Sequence, residues 1–143
     1  MKSKLLSATP KTFVIIFDTG DEVMSGLIQF AKEQQLGGSH FTAIGAFDEV
    51  TVGFFSPEKR DYNKVFLREQ VEVLSLLGDV ALKDGAPQIH AHVVLGKADA
   101  SACGGHLINA RVRPTLEVVL TELPRHLHRT LDAATGLALI KFE

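Results

Sequence analysis

Tryptophan is missing from the chain, tyrosine occurs once at Tyr62, and cysteine occurs once at Cys103. A lone cysteine rules out an intrachain disulfide, and a reducing, cytoplasmic setting is the expectation that follows. Between Ala102 and Gly104, Cys103 reads more simply as a small turn residue than as a reactive thiol. Charge of one sign is scarce too: 15 Lys and Arg against 17 Asp and Glu give a net −2. No dense basic run is present, whereas an autonomous nucleic-acid binder normally carries a cationic stripe. No apolar run approaches the length that crosses a bilayer, and MKSKLLSATPK lacks the apolar core of a secretion signal. The nine phenylalanines fall mostly in apolar runs and read as core, not as a platform for stacking bases.

What the chain does have is histidine in a suggestive place. His90 and His92 lie in QIHAHVVLG, and His106 follows in GGHLINARV. Val93, Val94 and Leu95 are strand formers, and side chains two apart on a strand share a face. Two imidazoles then stand side by side on a stiff scaffold. Neutral imidazole is a common ligand of zinc and similar divalent metals. A third ring from the next strand would leave one tetrahedral position for water or an anion. Spacing alone leaves two readings open, a metal site or merely hydrogen-bonded histidines, and His126 with His128 repeats the same spacing. Gly104-Gly105 is a turn signal that would fold the His106 strand back beside the pair.

The 143 residues fit a single domain. Thr12–Phe17 reads as a buried strand, Asp18–Glu22 as turn and helix cap, and Val23, Leu27, Phe30 and Ala31 as one face of a helix ended by Gly37-Gly38. Further strands are expected at Phe41–Phe47, Val50–Phe55, Val65–Phe66, Val71–Leu77, Ile89–Leu95, His106–Ile108, Thr115–Leu120 and Leu137–Phe142. Pro124–Leu131 reads as a second helix. The pattern predicts a mainly antiparallel α+β domain without repeated βαβ units. Val71–Leu77 and Leu116–Leu120 are apolar on both faces, more than a single helix can cover. Either a second copy of the chain or another core helix must bury that surface.

Several segments resemble the plants-and-prokaryotes-conserved (PPC) domain. Glu72–Gly78 is similar to that family's E-I-L-S-L-x-G strand, Ile89–Val93 to its h-x-H-x-H/S-h segment, and Gly104–Leu107 to its GGHL turn. Arg111-Val112, the Glu117–Leu120 strand and Ala43–Ala46 continue the likeness, with Thr19–Leu36 where the family's first helix stands. The resemblance implies a mostly antiparallel seven-stranded sheet packed with helices, assembled as a homotrimer. It also implies that His90, His92 and His106 gather around a divalent metal, with zinc first and nickel or copper as further candidates. Departures are as informative. The R-G-R-P core of an AT-hook is absent, and the family's G-R-F reads Glu69-Gln70-Val71. DNA contact by analogy with the plant proteins, and their transcription-factor contacts, therefore lose their carriers.

Three functions follow for comparison. One is a homotrimeric module whose metal is structural or fixes a small anionic ligand, with Arg111, Arg113 and His40 as candidate ligand-binding residues. The arginines read equally as a solvated strand face. Another is a metal-dependent hydrolase or lyase, with His40, Glu72 or Glu117 as proton shuttle. The last is a DNA-associated regulator.

Overall fold

The structure is a computed structural model and describes residues 1–141. Its strands are β1 (Lys2–Ala8), β2 (Lys11–Asp18), β3 (Gly38–Ser56), β4 (Asp61–Leu67), β5 (Val71–Lys83), β6 (Ala86–Gly96), β7 (Ala102–Glu122), β8 (His128–Leu131) and β9 (Ala138–Lys141), with one helix, α1 (Val23–Glu33). Among the described residues the fold is therefore sheet-dominated, with nine strands where seven were expected and a single helix. Phe142, expected to end the last strand, lies outside the described residues.

Strand alternation organises the sheet. Along β6, Ile89, Ala91, Val93 and Leu95 point into the core, which turns Gln88, His90, His92 and Val94 to the other face. Burying a large aliphatic side chain contributes about 1.5–3 kcal/mol, so the inward set fixes the register. A one-residue slip would expose the whole set and bury the histidines. β3 pairs with β5, β5 with β6, β6 with β7, and β7 with β3, all antiparallel, so these four strands close a circuit. Phe41, Phe47, Leu76, Leu95, Leu107 and Leu116 fill its inside. Helix α1 packs on β6 and β7 through Val23, Leu27, Phe30 and Ala31. Phe13 meets Phe30 edge to face at 5.1 Å.

The helix is capped from within Asp18–Glu22, as expected: the Glu22 carboxylate accepts from the N–H groups of Met24 and Ser25, while Asp21 pairs with the N-terminal ammonium. Three other local expectations need revision. At the helix's other end Gln35, at φ 55°, takes the left-handed turn that Gly37-Gly38 was expected to make. Phe41–Phe47 and Val50–Phe55 merge into the bulged strand β3, and His106–Ile108 merges with Thr115–Leu120 into β7. Pro124–Leu131 is not a helix. Arg129 is buried between exposed His128 and Thr130, the period of a strand, and the Leu82 N–H donates to the Leu127 carbonyl at 2.8 Å. Docking to β5 and pairing with β9 outweigh local helix preference there. β1 was not foreseen, because this edge strand is almost wholly exposed and shows no apolar alternation.

Candidate metal centre

The histidines meet through strand register. His92 of β6 lies directly opposite His106 of β7, and Asp79 of β5 lies opposite His90. Gly104 and Gly105 belong to β7 itself, so the chain reverses earlier, at Lys97–Ser101, where Ala100 adopts φ 65°. Gly104 matters through close approach instead: a Cβ there would overlap the Val93 carbonyl. The expected consequence still arises, with the His106 strand beside the pair.

One ligating atom from each of His90, His92 and His106 lies within 4.8 Å of the other two. The Nε2 atoms of His90 and His92 are 3.2 Å apart. Two nitrogens bound tetrahedrally at ~2.0–2.1 Å from zinc would stand about 3.3 Å apart, so this pair already has the needed spacing. Two of the rings, His90 and His106, are also held toward the neutral form. Burial and the neighbouring His90 and His92 push the His106 pKa down to about 4. Burial, then the Arg129 cation, lowers that of His90, against the pull of Asp79. Neutral imidazoles crowded together are the protonation state a metal requires.

Further side chains hold this cluster in place. Asp79 Oδ2 lies 4.0 Å from His90 Nδ1, on the ring edge away from His92, and its Oδ1 accepts from Arg129 Nη2 at 2.5 Å. At 4.0 Å Asp79 acts on His90 by its charge, which raises the ring's basicity, and not through a hydrogen bond. Tyr62 of β4 stacks on His106 with centroids 4.5 Å apart and planes at 20°. Gly53 makes that possible, since a Cβ there would sit 2.7 Å from Tyr62 Cδ1. Sequence reasoning missed Asp79, Arg129 and Tyr62. A signal existed for Asp79, which ends the apolar run one hairpin before His90.

The other expected ligand-binding residues do not converge on the histidines. Arg111 is five positions along β7 from His106, roughly 17 Å at strand rise. It is held by Asp48, at 2.8 and 3.1 Å, and by Glu49 at 3.1 Å. Arg113 lies two residues farther along β7. His40 is exposed on β3 opposite Asp79, so His40, Asp79 and His90 form a row across three strands. Glu72 and Glu117 are exposed on β5 and β7.

A closed sheet circuit bearing three gathered histidines is a recognisable class of domain. The model of the Plants and Prokaryotes Conserved (PCC) domain matches residues 7–124, and the chain belongs to this family. It is similar to the metal-containing protein of Archaeoglobus fulgidus, at 34% identity and TM-score 0.85 over 99% of this chain and 97% of that one. It is similar as well to a PPC protein of Pyrococcus horikoshii (30%, TM-score 0.87, 99% and 96% covered). A third likeness is to a proposed DNA-binding protein of Bacteroides thetaiotaomicron (26%, TM-score 0.91, 98% and 97% covered). No curated protein matches.

Proposed function

We propose that this protein is a metal-binding PCC module, a homotrimer in which His90, His92 and His106 hold one divalent ion, zinc before nickel or copper, with a coordination position left open. The observation that carries this reading is the 3.2 Å separation of the His90 and His92 Nε2 atoms, with His106 directly across the strand pair. The metal-containing relative from Archaeoglobus fulgidus supports it. A bound ion would supply Lewis acidity at the open position. The chain's own contribution is the Asp79 charge behind His90 and the Tyr62 ring packed against His106.

Self-association rests on the outward sheet face. Ile44, Leu74, Leu77, Val94 and Val119 are each 45–61% exposed there. Leu77 faces His92 across β5–β6, and Thr42 lies between Leu77 and Val119, so the apolar patch runs up to the histidines. Patches of this kind are normally covered by another chain, which would place each site near a subunit boundary. The number three comes from the family resemblance. The DNA reading draws on relatives described as proposed DNA-binding proteins, while Arg68, Arg111 and Arg129 are ion-paired internally with Glu49, Asp48 and Asp79. Those pairings favour the metal. Elemental analysis of untagged protein is expected to find about one divalent ion per chain; failure to take up any divalent metal on titration would overturn the reading.

A further inference from the structure

Beside the histidines, the β8–β9 hairpin walls off a cavity of about 180 Å³, smaller than the ~300–1,000 Å³ of drug-sized sites. Tyr62, Gln88, His90, His106 and Arg129 line it, together with Leu137 and Leu139. Three buried side-chain polar atoms have no hydrogen-bond partner among the described residues: Gln88 Oε1, His106 Nδ1 and Arg129 Nε. All three belong to residues of this one cavity. Buried polar atoms are nearly always paired, so three unpaired ones on residues of a single small cavity point to polar partners that the cavity would supply when filled. Arg129 is 93% buried, by its 7% relative exposure, and its other nitrogens are fixed by Asp79 and the Ala138 carbonyl, which aim the guanidinium.

We propose that this cavity binds a small carboxylate that carries a hydroxyl or amino group, and that Arg129 is its anchor. The carboxylate accepts from Arg129 Nε. The hydroxyl or amine donates to Gln88 Oε1, and the carbon skeleton lies between the Tyr62 ring and Leu137. The ligand's other end faces the three histidines. Charge supports an anion: Asp79 balances Arg129, so a divalent ion on neutral imidazoles leaves the region positive. Phosphate fits less well, because Nε is the one guanidinium nitrogen without a partner among the described residues, and apolar walls cannot satisfy three charge-bearing oxygens. The inference rests on the metal reading for that positive charge, yet it assigns residues the metal does not use. Arg129 lies beyond the stretch matched by the family, residues 7–124.

Calorimetric titration of zinc-loaded protein with lactate, alanine, propionate and inorganic phosphate tests it, with metal content measured on every sample. Lactate and alanine are expected to bind about tenfold more tightly than propionate, which lacks the donor. R129M, compared with wild type at equal measured zinc occupancy, should weaken all three carboxylates by about 10–100-fold. Q88L, which leaves the Arg129 anchor intact, should erase the preference over propionate. Phosphate binding more tightly than lactate overturns the proposal. So does unchanged lactate affinity in both variants, or zinc-replete protein that binds none of the carboxylates. Protein that takes up no zinc fails the metal reading instead, and the elemental analysis separates the two failures.

Discussion

Two stretches of the chain carry the same H-x-H spacing, and the fold treats them differently. His90 and His92 sit on the outward face of β6, flanked by β5 and β7, where register delivers His106 from one side and Asp79 from the other. His126 lies in the connection after β7, with its ring over Gly37, where a Cβ would approach to 2.9 Å. His128 starts the four-residue strand β8 opposite Lys141. Both are exposed, and Arg125 and Lys141 line the same surface depression. A cation is drawn to neutral donors backed by a carboxylate and repelled by a rim of ammonium and guanidinium groups. Spacing within a strand thus sets the distance between two rings, while the neighbouring strands decide whether that distance means anything.

The largest expected effect is at His106, the ring the second pair lacks. His106→Ala should lower zinc affinity by more than about 100-fold, read by competition with a chromogenic chelator; an affinity within tenfold of wild type would count against convergence. Removing the support is expected to cost less. Asp79→Asn keeps all three rings and should weaken zinc about 10–100-fold in the same assay. Leu77→Lys places a charge on the apolar patch beside His92, and light scattering should show the mass falling about threefold to that of the monomer. The smallest effect concerns protons. Because the folded His106 pKa is about 4 and its ordinary value 6.5, the unfolded chain takes up the proton first. Metal-free protein should therefore lose stability as pH falls through that window, on the order of 1–2 kcal/mol once partial solvation is allowed for. Chemical denaturation above and below the window checks this, with His106→Gln expected to flatten the profile.

Much of this centre was legible in the sequence. Alternation in QIHAHVVLG placed His90 and His92 on one face, and the nearby GGHL placed His106 within reach. Illegible were the residues that depend on pairing between distant strands. Asp79 reaches His90 through the β5–β6 register, and Tyr62 reaches His106 over a glycine in a strand between them. Arg129 was hidden by a misread segment: Pro124–Leu131 looks helical locally, but its backbone is satisfied by β5 and β9. The same limit applies to the arginines. Arg111 was read as a possible anion ligand, and only the fold shows Asp48 and Glu49 holding it.

The most direct measurement sets the two pairs side by side. Zinc stoichiometry is determined for wild type, for His90→Ala with His92→Ala, and for His126→Ala with His128→Ala. About one tightly bound ion per chain is expected in the wild type and the last variant, and none in the first. Equal zinc in all three proteins, or loss only when His126 and His128 are removed, would contradict a centre built on β6 and β7.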